Sequence, residues 1–216
     1  MKKGAIFDMD GLMFDTEALW QEGWRILARE FSYEPSPDFA RDISGTSGEV
    51  MIGVVNKYYD GIDAEEFIKK ERAYVEDKLA REVPIKEGLF TILDYFREHK
   101  VKMAVASSSR RQMIEDNLDK AGCRDYFDVV LSSTEVEKAK PAPDVFLAAA
   151  KELGLDPADC YVFEDSFGGI RAGHAAGCLT VMVPDQQQPT EEIRSLADGV
   201  YVTLTEVTEA IRRGEI

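Results

Sequence analysis

Positive charge is scarce in this chain: 26 Lys and Arg face 41 Asp and Glu, a formal net charge of −15 over 216 residues. A surface of that sign repels phosphodiester backbones and anionic headgroups, which argues against nucleic acid or a membrane surface as the principal partner. Long apolar runs are missing too. No segment approaches the length that spans a bilayer, and the apolar stretch behind Lys2 and Lys3 stops at Asp8, far short of a signal-peptide core. Cysteine is sparse. Cys123, Cys160 and Cys178 are odd in number and far apart, so they read as free buried thiols in a reducing cytoplasm rather than as a disulfide framework. No CxxC or clustered Cys/His pattern is present to hold zinc. Internal repeats and low-complexity tracts are absent as well.

What is present suits a core-forming chain: 44% of the residues are hydrophobic. Ala5-Ile6-Phe7 is a short apolar run bounded by turn residues, the form of a buried parallel strand. From Thr16 to about Ala80 the periodicity is helical. Leu19, Trp20, Ile26, Leu27 and Phe31 mark one amphipathic helix that ends before the Pro35-Ser36-Pro37 break. Val50, Met51, Val54, Val55 and Tyr58 mark a second, beyond a small polar loop from Ile43 to Gly48, and Asp63 with Glu66 caps a third carrying Phe67, Tyr74 and Leu79. After Val83-Pro84, apolar segments at 101–106, 127–131, 161–163, 179–183 and 200–202 read as strands with helices between them. Such alternation requires right-handed crossovers and a sheet covered on both faces. The expected fold is α/β, a doubly wound, mostly parallel, Rossmann-like sheet built by residues 1–14 and 81–216, with an all-helical cap domain, 15–80, inserted after the first strand. An insertion that leaves from this loop can act as a lid.

The first strand ends on Asp8-Met-Asp10-Gly11. In open α/β sheets ligands gather where parallel strands end, and residues spaced by two along an extended chain project to the same side. Gly11 lets the backbone turn sharply. Two carboxylates this close repel unless they share a cation, so the pair implies a metal or a raised pKa. One could attack while the other passes a proton. Three further strand ends carry polar groups: Ser107-Ser108-Ser109, Lys140 in its loop, and Glu164-Asp165. The serines offer a hydroxyl and backbone N–H groups where a helix opens, a setting that favours an anion. Lys140 adds a point charge, and Asp165 with Asp8 would hold a hard cation such as Mg²⁺. Taken singly, each has a bland explanation: a helix cap, a solvated lysine, an acidic loop. Their order, each directly after a strand, is what gives them meaning together.

Over its full length the chain resembles the haloacid dehalogenase superfamily, specifically the subfamily with a helical cap inserted after the first motif, to which β-phosphoglucomutases and many sugar-phosphate phosphatases belong. The motifs that carry the resemblance are Asp8-Met-Asp10-Gly11, Ser107, Lys140 in Lys-Pro-Ala-Pro-Asp, and Glu164-Asp165-Ser166 followed by Gly168-Gly169-Ile170. The resemblance implies that Asp8 attacks phosphorus to form an aspartyl-phosphate while Asp10 protonates the leaving oxygen and later activates water. It implies Mg²⁺ held by the side chains of Asp8 and Asp165 and the backbone carbonyl of Asp10, with Glu164 ligating directly or orienting a water. Ser107 and Lys140 would hold the transferring phosphoryl group. Gly11, Thr16 and Ser108, with Trp20, Ser44 and Ser47 of the cap, are the further expected contacts to substrate or phosphate. Members that cleave carbon–halogen bonds lack the second aspartate, so Asp10 points to phosphoryl transfer.

The resulting expectation is a Mg²⁺-dependent phosphatase, a cytoplasmic monomer acting on a small phosphorylated metabolite, with no nucleic-acid or membrane partner. A phosphomutase of the β-phosphoglucomutase type is the alternative. Such mutases carry His, Lys and Arg where Trp20, Ser44 and Gly48 stand here. A receiver-like signalling domain also sets paired acids, a hydroxyl and a lysine at strand ends, but receivers are much shorter and have no helical insertion. A catalytically dead binding protein is expected to have lost a motif residue, and none is lost.

Overall fold

The residues flanking the paired aspartates form a six-stranded sheet. Its strands are β1 (Gly4–Phe7), β2 (Lys102–Ser107), β3 (Val129–Ser132), β4 (Cys160–Glu164), β5 (Leu179–Met182) and β6 (Gly199–Val200). The computed structural model describes every residue except 44, 45 and 47. Strand order is β3-β2-β1-β4-β5-β6 and every pairing is parallel, the doubly wound order in which ligands bind beyond the carboxyl ends of the strands. β1 lies inside the sheet and all four of its residues are buried. Phe7 is level with Val105 of β2 and Phe163 of β4. This register brings Asp8, Ser107 and Glu164 out on one edge.

The chain divides into two compact units, Met1–Asp15 with Pro84–Ile216 and Thr16–Val83. The expected junctions after residues 14 and 80 thus shift to Asp15 and Val83, because the last helix of the insertion runs on to Arg81. The inserted unit consists of α1 (Thr16–Glu30), α2 (Pro37–Ile43), α3 (Gly48–Tyr58) and α4 (Ala64–Arg81). Its core is largely aromatic: Trp24 meets Phe39 and Phe67 at centroid distances of 5.7 and 5.6 Å, and Tyr59 meets Phe39 at 4.7 Å. Asp63 caps α4 by accepting from Glu66 N at 3.0 Å, as the spacing predicts. Two expectations are corrected here. The Pro35-Ser36-Pro37 stretch is also a helix start: Pro37 opens α2, and Ser36 Oγ accepts from Phe39 N at 3.4 Å, the use of proline at a first helical position. Ile26 is exposed, since the packed face of α1 is Thr16, Gly23, Trp24, Leu27 and Ala28.

In the sheet unit, α5 (Leu89–Glu98), α6 (Arg111–Lys120), α7 (Asp144–Leu153), α8 (Phe167–Ala176), α9 (Glu191–Leu196) and α10 (Leu204–Arg213) complete the layers. Alternate strand residues project to opposite faces. Ile6, Ala104 and Val162 pack with Val145, Phe146 and Ala149 of α7 and Ala172 of α8. On the other face Phe7 and Phe163 lie 5.0 Å apart, with Phe96 of α5 at 6.2 and 5.9 Å from them. α9 has no counterpart in the sequence reading, being short and resting on a Thr190 cap. The expected last strand, 200–202, shortens to β6. The three cysteines are buried and free. Among the described residues no helix is long and apolar enough to cross a membrane.

One carboxyl of the helical unit stands out. Glu71 is fully buried and neither of its oxygens has a hydrogen-bond partner among the described residues. It lies against Gly23 of α1, where a Cβ would come within 2.8 Å of Glu71 Oε1. Burial, with added repulsion from Glu17 and an opposing pull from Arg72, lifts this carboxyl from its ordinary 4.5 to about 9. The unfolded chain therefore gives up this proton first: the contribution to stability is complete below 4.5 and is lost as pH rises toward 9. Glu71→Gln is expected to remove that loss and to stabilise the protein by on the order of 2 kcal/mol at pH 8, with little gain at pH 5. Thermal unfolding of both proteins across this range checks it. Parallel curves would show that Glu71 is not the titrating group.

Candidate active site

The sheet register delivers the first aspartate to its place. Asp8 follows the last residue of β1, its N–H donates to Phe163 O at 3.0 Å, and its side chain is nearly buried. The chain then turns: Met13 N and Phe14 N both donate to Met9 O, and Gly11 N donates to Phe14 O at 2.9 Å. Gly11 has φ +85°, and a Cβ there would strike Asp165 Oδ2. Only glycine gives both the left-handed backbone and the room.

Lys140 is the hub of the edge. Its Nζ donates to Asp8 Oδ1 at 2.6 Å, to Glu164 Oε1 at 2.8 Å and to Ala106 O at 2.9 Å, which uses all three protons of the ammonium. Only 7% of its side chain is exposed. Glu164 is committed on both oxygens, because Oε2 accepts from Asp165 N, Ser166 N and Ser166 Oγ at 2.9 to 3.0 Å. That hydroxyl in turn accepts from Gly169 N and caps α8. Asp10 accepts from Ser109 Oγ at 2.7 Å and more distantly from Ser107 Oγ at 3.4 Å, while Ser107 Oγ takes the N–H of Ser109 at 3.0 Å.

The electrostatics follow from burial and crowding. Burial, moderated by Lys140 and reinforced by Glu164 and Asp10, raises Asp8 to about 7. Burial, then Glu164, Asp8 and Asp185, hold Asp165 well above the usual carboxylate range. Burial alone would depress Lys140, but Asp8 and Glu164 outweigh it and keep the ammonium charged beyond the ordinary lysine range. Three carboxylates thus share one ammonium.

That surplus is the test of whether a cation fits. Asp8, Glu164 and Asp165 each present an oxygen, all within 4.8 Å of one another. An all-oxygen, strongly anionic set is the donor chemistry of a hard cation such as Mg²⁺. A divalent ion would discharge the repulsion that burial now meets by raising pKa. The residues fit.

Asp8, Asp10, Gly11, Ser107, Lys140, Glu164 and Asp165 are therefore brought to one edge. Ser108 is exposed, and it is Ser109 that meets Asp10, the residue whose hydroxyl returns to the side of the edge. The helix expected to open on these serines begins later, at Arg111, since β2 runs to Ser107, the chain bends at Ser108 and Ser109, and Arg110 is the extended residue that precedes the helix. Thr16, buried, opens α1 and Trp20 sits half-buried one turn on, both in the helical unit. Ser44 and Ser47 lie outside the described residues. Asp185, just after β5, belongs to none of the motifs. Its only sequence signal is that an acid again follows a strand.

A Rossmann-like sheet with a helical unit inserted behind its first strand, and with paired aspartates facing a buried lysine, defines a class of hydrolases. Residues 5–183 match the model of the haloacid dehalogenase-like hydrolases, and the chain belongs to that family. It is similar to hexitol phosphatase B of Escherichia coli, with 30% identity over 209 residues covering 94% of this chain and 93% of that protein. It is also similar to a phosphorylated carbohydrates phosphatase of Thermotoga maritima, with 30% identity covering 81% and 82%. Among solved structures, a β-phosphoglucomutase from Clostridium difficile superposes with a TM-score of 0.77 at 24% identity, over 99% of this chain and 96% of that one.

The seat of Glu164 depends on a missing side chain. A Cβ on Gly169 would fall inside the Glu164 carboxyl. Gly169→Ala must push that carboxyl off Lys140 and is expected to cost about 1–3 kcal/mol, the usual range for overpacking. Denaturant unfolding of the full chain checks this, and an unchanged midpoint would mean that Glu164 is free to turn aside.

Proposed function

We propose that the protein is a Mg²⁺-dependent phosphatase that hydrolyses a small phosphomonoester, a sugar phosphate or similar, through an aspartyl-phosphate on Asp8. The observation that carries this reading is the division of labour at Asp8. Its Oδ1 is held by Lys140, while Oδ2 has no hydrogen bond among the described residues. A fixed carboxylate with one unengaged oxygen is a nucleophile ready to attack.

In the first half-reaction Asp8 Oδ2 bonds to phosphorus as the bond to the leaving oxygen breaks, and Asp10 gives that oxygen a proton. In the second, Asp10 takes a proton from water as the water attacks phosphorus, the Asp8–phosphorus bond breaks, and inorganic phosphate leaves. Ser109 steers the Asp10 carboxyl through its 2.7 Å hydrogen bond. Lys140 and Ser107 stabilise the phosphoryl oxygens, the largest source of rate in such transfers. Asp8, Asp165 and the Asp10 carbonyl would hold Mg²⁺, which when bound would supply the charge neutralisation that lets an anionic nucleophile meet an anionic substrate. Glu164 holds Lys140 and the Asp165 backbone in place and would ligate the ion directly or through a water.

The names of the relatives at 30% identity, a hexitol phosphatase and a phosphorylated carbohydrates phosphatase, support the substrate class. The mutase shares 24% identity, which carries likeness of fold alone.

Asp8→Asn keeps the shape of the side chain and removes its nucleophilicity, so turnover on a panel of phosphorylated sugars and polyols is expected to fall to background. More than a trace of residual activity would rule out the covalent route. Excess chelator should abolish activity, Mg²⁺ restore it and Ca²⁺ inhibit, because Ca²⁺ prefers more ligands at longer distance. Full activity with no metal retained would count against the cation site.

Phosphatase and mutase chemistry separate in one incubation. With Mg²⁺, β-glucose 1-phosphate and a trace of glucose 1,6-bisphosphate, the expected product is inorganic phosphate or none. A mutase must grip a second phosphate, best done by a bidentate arginine, and glycine stands at position 48. Rapid glucose 6-phosphate formation without phosphate release would reverse the assignment.

A further inference from the structure

Asp185 and Lys86 form a second charged pair beside the acidic edge, and no part of the proposed mechanism uses it. Lys86 Nζ donates to Asp185 Oδ1 at 2.6 Å and lies 3.7 Å from Asp15 Oδ1. The side chains of Lys86 and Asp185 are 25% and 7% exposed. A pair this enclosed is not a surface ornament, because removing one partner strands a charge away from water.

The pair closes a ring of contacts through the cation site. Asp15 and Pro84 are where the chain passes between its two units. The passages are joined by Asp15 N donating to Pro84 O at 2.8 Å, by the bridge between Phe14 and Ile85, and by Lys86 N donating to Met13 O at 2.9 Å. Phe14 O in turn receives Gly11 N at 2.9 Å. From Lys86 the side chain crosses to Asp185, whose Oδ2 comes back to Gly11, 3.4 Å from where a Cβ there would sit. Asp165 Oδ2 occupies that same space over Gly11. Gln186 Nε2 fixes the Oδ2 of Asp185 at 3.2 Å, so both oxygens of this carboxylate are held. Without the ammonium, two carboxylates would face each other over one glycine.

We propose that Lys86 and Asp185 are positioning residues which lock the Gly11 turn and the paired chain passages against Asp165, and so set the carboxylate geometry that receives the cation. This rests on the reading of Asp8 and Asp165 as a Mg²⁺ site. It also separates two physical effects of opposite sign. If Lys86 acted only as a nearby positive charge, removing it would tighten cation binding by relieving repulsion. If it positions the site, removing it loosens binding, and outer partners of metal ligands typically matter by 10–100-fold.

The experiment is isothermal titration of the full chain with Mg²⁺, with circular dichroism to confirm folding. Lys86→Met and Asp185→Asn are each expected to raise the Mg²⁺ dissociation constant about tenfold. Lys86→Arg, which keeps a charge facing Asp185, should recover most of the affinity. The double variant Lys86→Met, Asp185→Asn should bind no more weakly than the worse single one, since both break the same contact. Lys86→Met binding as tightly as wild type, or more tightly, overturns the inference while leaving the cation site intact. Wild-type protein that binds no Mg²⁺ removes the cation site and the inference with it. Lys86→Gln carries the same reading if Lys86→Met does not fold.

Discussion

An ammonium and three carboxylates meet at the buried edge of the sheet, and the ammonium touches only two of them, Asp8 and Glu164. Buried charge is tolerated when it is paired and hydrogen-bonded, and here the pairing is deliberately incomplete. Asp165 has no ion pair with Lys140 and feels its charge only at a distance, too weakly to offset burial and the repulsion of Glu164, Asp8 and Asp185. A protein that needed only stability would place an apolar group at such a position, which is often neutral or favourable. The retained surplus of negative charge, three carboxylate oxygens within 4.8 Å of one another, has the donor chemistry that suits a hard cation. Local charge then explains much of the rest: the glycines at 11 and 169 make room for carboxylates, and the Ser166 cap of α8 doubles as a clamp on Glu164.

The sheet supplies the precision. Because β1, β2 and β4 are parallel and in register, Asp8 and Glu164 emerge at the same level and Ser107 one residue further along, from parts of the chain some 100 and 150 residues apart on a scaffold that twists in a fixed sense. The two faces beneath this edge are closed by apolar packing, aromatic around Phe7 on one side and small aliphatic around Ile6 on the other. The edge therefore cannot relax by sliding a strand: a one-residue slip would exchange Ile6 with Phe7 and reverse both faces.

Much of this was legible in the sequence because it follows from short-range rules. An apolar run stopping at Asp8, or at Glu164, marks a strand end without knowledge of the partner strand. The helical stretch behind it marks an inserted unit. Three kinds of feature were hidden. Short helices such as α2 and α9 depend on caps, Ser36 and Thr190, more than on periodicity, and the proline at 37 reads as a break from outside and as a first turn from inside. Which hydroxyl of Ser107-Ser108-Ser109 meets Asp10 depends on how far the strand stays extended, and that is set by pairing with β3. Long-range pairs such as Lys86 with Asp185 leave no local trace. Glu71, in the middle of an ordinary charged helix, gives no sign in sequence that its carboxyl is buried without a partner.

The hydrogen-bond ledger of the edge also bears on where substrate selection can reside. Lys140 has no proton to spare while Asp8, Glu164 and Ala106 hold it. Glu164 has both oxygens engaged, and Ser107 is shared between Asp10 and the Ser109 backbone. These groups are engaged with one another, which leaves few of them to read the remainder of a substrate. Discrimination between one polyol and another requires polar groups matched to particular hydroxyls, because unpaired buried partners are what penalise the wrong ligand. Those groups must therefore lie outside the network. In this chain a change in those outer groups need not disturb any contact of Lys140, so the buried network and the groups that read a substrate can vary separately.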